Sequence, residues 1–141
     1  MPDYDMVVIG SGFAGSTATL SFLETTEKAS QVGSVALIEA GKLGTWPGGS
    51  RWSNPFLRLN RDNTLSRDRV ERVEEGLSDL DYWRKLAGET PNTVKFMQDH
   101  GVKLIHYDEK NAALEFEEQH FASPIGGGKE NLDEYLIRIA K

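Results

Sequence analysis

The stretch Gly10-Ser11-Gly12-Phe13-Ala14-Gly15 decides how the rest of this chain is read. In front of it, residues 5–9 (DMVVI) are a short apolar run that stops at glycine, which predicts a buried strand. Behind it, from Phe13 to Ala29, small residues (Ala14, Gly15, Ser16, Ala18) give way to Leu20 and Leu23 at helical spacing. Residues 34–38 (SVALI) predict a second buried strand, and Glu39 follows it directly. Two strands joined by one helix over so short a distance pair in parallel, with a right-handed crossover. The expected fold class is therefore α/β: a Rossmann-like βαβ unit over 5–39 with additional helices, part of an incomplete doubly wound domain.

Each glycine of the GxGxxG pattern has a separate task in such a unit. Gly10 permits the tight turn out of the strand, Gly12 lets the backbone approach a pyrophosphate, and Gly15 lets the helix pack close to the sheet. The helix N-terminus then offers unpaired N–H groups and a partial positive charge to phosphate. Glu39 lies 24 positions after Gly15, where an acidic side chain meets the ribose hydroxyls of a bound adenosine. Its charge disfavours a 2′-phosphate and so argues against NADP. The competing explanation is a βαβ unit whose glycines serve packing alone.

The fingerprint does not separate FAD from NAD, but the next feature does. After Glu39 comes Ala40-Gly41, and Gly48-Gly49-Ser50-Arg51 begins 9 positions beyond Glu39. This resembles the flavoprotein pattern in which a Gly-Gly turn shortly follows the acidic residue at the end of the second strand; an NAD-binding domain has no reason to place such a loop there. The segments VVIGSGFAGSTA, IEAGKLGTWPGGSRWSNPFLRL and PIGGGKENLDEYLIRIA together resemble the FAD-binding subunit family of fumarate reductase and succinate dehydrogenase. The likeness is nearest to the tricarballylate-dehydrogenase-like branch, and it is of motif strength in residues 5–51 and 126–136. One departure is visible: the chain reads GGSR where the branch carries a GGNSR-type loop, which leaves the contact of Ser50 open.

The resemblance implies a role for each matched position. Gly10, Ser11, Gly12, Ala14 and Gly15 would contact the FAD pyrophosphate, and Glu39, followed by Ala40, the adenosine ribose. Gly48, Gly49, Ser50 and Arg51 would lie along the ribityl chain. Some relatives attach the flavin through a histidine in this loop. Here His100, His106 and His120 all lie far downstream, so non-covalent FAD is expected. The implied reaction is hydride exchange between flavin N5 and a carbon activated by a carboxylate or carbonyl, on a small-molecule substrate. The family's acid/base arginine and most substrate ligands fall outside these residues, so no catalytic residue is expected here and the chain alone should be inert. The alternatives are a non-catalytic FAD- or NAD-binding module, or a truncated remnant marked by an exposed apolar face on residues 129–141.

The remaining sequence divides by texture into a loop over 40–66 and a helical and short-strand region over 67–141. Residues 40–66 are rich in Gly, Pro, Ser, Asn and Arg with no lasting apolar period, and a loop of that length is usually functional or else wrongly assigned as loop. Arg67 to Glu75 suggests a polar helix. Ser78 is placed to cap a helix bearing Leu80, Trp83, Leu86 and Ala87 that stops at Gly88. Thr90-Pro91 then reads as the start of another, ending at Gly101. Val102 to Tyr107 and Ala112 to Phe116 read as a hairpin turning at Asp108 to Asn111. Leu132, Tyr135, Leu136 and Ile139 make one apolar helical stripe still running at Lys141, the pattern expected of the N-terminal part of a longer protein.

Composition removes whole classes of function. A net charge of −6 argues against general nucleic-acid binding, which needs a basic surface. The chain has no cysteine, which excludes disulfides, thiolate metal sites and thiol nucleophiles. Neither a basic signal-peptide start nor an apolar stretch of spanning length is present, so no membrane insertion and a cytoplasmic setting are expected. Six arginines fall in residues 51–72 (Arg51, Arg58, Arg61, Arg67, Arg69, Arg72), interleaved with Asp62, Asp68 and Glu71. Arg51 or Arg58 is suited to a substrate carboxylate, but every arginine beyond Arg51 fits a solvated face better. Gly126 to Gly128 fits either an anion-binding turn or a plain turn into a helix. Asp99, His100 and Ser123 suggest no hydrolytic triad.

Overall fold

The computed structural model describes residues 3–42, 48–53, 57, 59–65, 79–107 and 121–140. They form two compact units, Met1–Ser53 with Gly126–Lys141, and Asn54–Ile125. The chain is mixed α/β, with a parallel strand pair in the first unit and an antiparallel pair in the second.

In the first unit, β1 (Met6–Ile9) leads through Gly10 into α1 (Phe13–Lys28) and on to β2 (Val35–Ile38). The strands are parallel and in register from Met6 opposite Val35 to Ile9 opposite Ile38. The Gly10 N–H extends the ladder by donating to the Ile38 carbonyl at 2.7 Å. At the other end, Asp5 Oδ2 accepts from both the Ser34 N–H and its hydroxyl, at 2.9 and 2.7 Å.

Helix α1 lies close to the sheet because its inner face is small. Ser16 and Thr19 are wholly buried there, their hydroxyls donating to the Ser11 and Gly15 carbonyls at 2.9 Å each. A buried hydroxyl that returns its bond to the backbone avoids the penalty of an unsatisfied polar group. The helix ends in a Schellman arrangement: Gln31 N–H reaches the Thr26 carbonyl and Ser30 N–H the Glu27 carbonyl. Ser30 holds the left-handed position at φ 57°.

Both strands were expected to be buried, and only one face is. Val8 is 8% exposed on the α1 side, whereas Val7, Ile9 and Ile38 are 56%, 85% and 51% exposed. Strand alternation puts Val7 and Ile9 on the face that α1 does not cover. A doubly wound fold needs a helix layer on each face, and the described residues supply one.

The unit is completed by a one-turn helix α2 (Gly49–Trp52), inside the segment expected to be loop, and by the C-terminal helix whose stripe the sequence displayed (Gly127–Ile139). In that helix Leu132 and Tyr135 are each 2% exposed and Leu136 and Ile139 are half-buried, so the stripe packs within its own unit, while Ile137, off the stripe, is 51% exposed.

In the second unit, residues 80–99 form one helix, α3 (Leu80–Asp99), where two were expected. Gly88 does not adopt the left-handed conformation that stops a helix, and it remains helical in open space. Pro91 lacks the N–H that would reach the Ala87 carbonyl, yet the helix continues. Thr90 and Thr93 hydroxyls bond the Leu86 and Glu89 carbonyls at 2.7 and 3.0 Å on either side of the interruption. The gain from continuing is Val94, 3% exposed in a core with Leu59 and Ala122. Asp79 caps the helix, accepting from Asp81 and Tyr82 N–H groups; Ser78 and the suggested helix at 67–75 lie outside the described residues. Gly101, at φ 92°, ends α3 as expected.

Strand β3 (Leu104–Tyr107) pairs antiparallel with β4 (Phe121–Pro124), Leu104 opposite Pro124. Ala112 to Phe116 lie outside the described residues. Leu57 bridges Ala122 through reciprocal bonds of 2.7 and 2.8 Å. The C-terminal helix that follows is α4 (Gly127–Ile139).

Candidate nucleotide site

The site is built at the carboxyl ends of β1 and β2. Gly10 leaves β1 at φ 95°, a conformation that L side chains rarely adopt, and this turns the chain sharply into α1. Gly15 is required for a different reason. A Cβ there would collide with the Gly10 carbonyl oxygen and lie 3.1 Å from Val8 Cγ1. The close packing assigned to Gly15 from the pattern is thus visible as geometry.

Gly12 is the N-cap of α1 and has no side chain to satisfy the first turn. The first intrahelical bond runs from Ser16 N–H to the Gly12 carbonyl at 2.9 Å, so the N–H groups of Phe13, Ala14 and Gly15 have no acceptor within the helix. Ser50 Oγ takes one of them, accepting from Phe13 N–H at 3.1 Å. A Cβ on Gly12 would lie 3.0 Å from that same oxygen. The Gly48-to-Arg51 turn therefore meets the fingerprint at Gly12 and Phe13, with Ser50 as the contact. Gly48, at φ 138°, and Gly49 have no such close neighbour, and Ala14 and Ala40 are exposed.

Glu39 stands at the end of β2 and faces the first turn of the fingerprint. Its Oε2 accepts from the Ser11 N–H at 2.9 Å and from the Ser11 hydroxyl at 2.5 Å, while Oε1 accepts from Gly41 N–H at 2.9 Å. The Ser11 hydroxyl bond, then the Ser11 and Gly41 amides, hold the carboxyl down at about 2, far below its ordinary range. The Ala40 amide adds a smaller contribution in the same direction, so the carboxylate is held from both sides of the β2 end.

The residues present are compatible with the adenosine diphosphate half of an FAD: the Ala14 and Gly15 amides at the helix N-terminus would face the diphosphate, Glu39 would face the ribose, and the missing side chains of Gly10 and Gly12 would leave the approach open. Arg51 lies against the Trp52 ring, its guanidinium carbon 5.4 Å from the ring centre, and Trp52 is 78% exposed.

Other expectations resolve as follows. The Gly126–Gly128 turn is not an open anion cradle: the Gly128 N–H donates to the Ser53 carbonyl at 2.7 Å, and a Cβ there would strike the Ser50 carbonyl oxygen. Arg61 is exposed, whereas Arg58, Arg67, Arg69, Arg72 and His120 lie outside the described residues. Asp99 pairs with Lys95 at 2.6 Å and the His100 ring meets the Phe96 carbonyl at 2.7 Å, both local to α3. Among the described residues no cluster of His, Asp or Glu suits a metal ion, and no helix is long and apolar enough to cross a membrane. Phe13, Ser53 and Tyr135 were not singled out by sequence. Only the α4 stripe hinted at Tyr135, and nothing in the pattern marked Ser53.

Comparison of the chain with protein-family models, with curated proteins and with solved structures returns no match in any of the three.

Proposed function

We propose that this chain is the FAD-binding portion of a flavoprotein oxidoreductase of the fumarate reductase and tricarballylate dehydrogenase type. The observation that carries the reading is the start of α1, where two backbone amides without helical acceptors lie between Glu39 and the Ser50 turn. That is the donor and acceptor pattern of an adenosine diphosphate. The turn at Gly48–Arg51, seated against Gly12 and Phe13, favours FAD over NAD because it extends the site beyond the diphosphate. Glu39 recognises the ribose and repels a 2′-phosphate.

The flavin, when bound, supplies hydride exchange with a carbon activated by a carboxylate or carbonyl. The residues of this chain bind and orient it, and no proton-transfer group is assigned among them. The flavin is held without a covalent bond, since residues 40–53 contain no histidine. The bare face bearing Val7, Ile9 and Ile38 supports the word portion: parallel strands are covered on both sides in finished α/β domains.

Titration of the purified chain with ADP, FAD and NADP tests the reading. ADP and FAD should bind, NADP more weakly, and Glu39→Gln should weaken ADP by about tenfold, the loss of one charge-assisted bond. Acid precipitation should free all the yellow colour, and the chain should reduce or oxidise no carboxylate substrate by itself. Absence of ADP binding at millimolar concentration overturns the proposal.

A further inference from the structure

Helix α4 starts against the turn that faces α1. The Gly128 N–H donates to the Ser53 carbonyl oxygen at 2.7 Å. The Ser53 hydroxyl donates to the Ser50 carbonyl at 2.8 Å, and the Ser53 N–H does so at 3.3 Å. Ser50 Oγ in turn accepts from Phe13 N–H at 3.1 Å. These bonds run unbroken from the first turn of α4, through α2, to the first amide of α1.

The approach is too close for any side chain at 128. A Cβ there would overlap the Ser50 carbonyl oxygen and lie 2.6 Å from Ser53 Oγ. The first turn of α4 is itself fixed by Asn131, 5% exposed, whose Nδ2 donates to the Gly127 carbonyl at 2.6 Å. Two turns on from Gly128, the same helix touches α1 again. Tyr135, 2% exposed, meets the Phe13 ring at 5.9 Å and 78°, an edge-to-face contact. One rigid helix therefore holds both partners of the Phe13–Ser50 bond, Ser50 through Ser53 and Phe13 through its ring.

We propose that Gly128, Ser53 and Tyr135 are positioning residues of the nucleotide site, fixing the separation between the Ser50 turn and the α1 N-terminus. The proposal rests on the nucleotide reading above. It makes the glycine triplet at 126–128 part of the phosphate site's support, acting through Ser53 with no ligand contact of its own. Ser53→Ala removes one bond of the series and disturbs little else; Ser53→Thr restores it.

The test compares both variants with the unaltered chain in ADP titration, thermal unfolding and ligand-free amide exchange at Phe13. Ser53→Ala should weaken ADP about five- to tenfold, the usual effect of displacing one hydrogen-bonded group. It should also speed Phe13 exchange while moving the unfolding midpoint by less than about 4 °C, and Ser53→Thr should restore affinity and exchange together. Gly128→Ala should weaken ADP further, and Ser53→Ala keeps the question answerable if that variant does not fold. Unchanged ADP affinity in Ser53→Ala, or a loss that threonine does not rescue, overturns the positioning role. An unaltered chain that binds no ADP overturns the nucleotide reading and this proposal with it, and the wild-type titration alone distinguishes that case.

Discussion

Ser11 and Glu39 form the tightest polar contact of the site, and it is sensitive to acid. A carboxyl held at about 2 when folded, against 4.5 ordinarily, adds stability that is fully present above its unfolded value. That contribution disappears as the pH falls from 4.5 toward 2, because protonation removes the acceptor that Ser11 uses. Ser11→Ala takes away the largest cause of the shift. The stability difference between the chain and Ser11→Ala should therefore be greatest above pH 5 and shrink steadily below it in urea titrations run across pH. Asp5, held low by Ser34, responds in the same direction, so the comparison with Ser11→Ala is needed to isolate Glu39. A difference that stays constant down to pH 2 would show that the serine acts through packing alone. The acidic residue was legible in the sequence because its spacing from Gly15 is a chain-local fact. Its engagement by Ser11 was not, since nothing in one-dimensional spacing says which way a carboxylate turns.

At the scale of elements, legibility followed the range of the forces involved. Strand, helix and strand over 5–39 were readable because apolar runs and a glycine turn act within a few residues. The end of α3 at Gly101 was readable for the same reason, since glycine fits the left-handed residue after a helix. Gly88 and Thr90-Pro91 carry the same local signals and misled, because burying Val94 outweighs them. Strand β4 (FASP) was passed over: four residues ending in proline carry little strand signal, and its pairing with β3 and Leu57 is non-local. Gly88 offers a direct measurement of the local cost. It lies inside α3 with nothing within 4 Å of an added Cβ, so Gly88→Ala should stabilise the helix by about 0.8 kcal/mol. A chemical unfolding midpoint that fails to rise would mean that the helix is broken at this residue in solution.

The molecule as a whole falls into two units. Every residue assigned to the nucleotide from the sequence falls in the first, Met1–Ser53 with Gly126–Lys141. Saturating ADP should thus slow amide exchange in β1, α1, β2, α2 and α4, with β3, β4 and most of α3 unchanged. At one hundred times its dissociation constant the nucleotide adds about 2.7 kcal/mol to whatever must open for exchange, a factor near one hundred in rate. Equal protection in both units would place the ligand elsewhere. The division was invisible in the sequence, whose textures change near 40 and 67, because it depends on a contact between residues 50–53 and 128.

That contact also bears on the order of events during folding. The strand–helix–strand segment closes over short distances and can form early, whereas α4 must return across the whole of Asn54–Ile125 before the Ser50 turn is clamped. The glycines of the fingerprint are thus in place well before the support that fixes their neighbour. A nascent chain that has emerged only as far as Ile125 lacks the bond from Gly128 to the Ser53 carbonyl. On the positioning proposal, competence to grip a phosphate would be a late acquisition, following the meeting of Gly128 with Ser53.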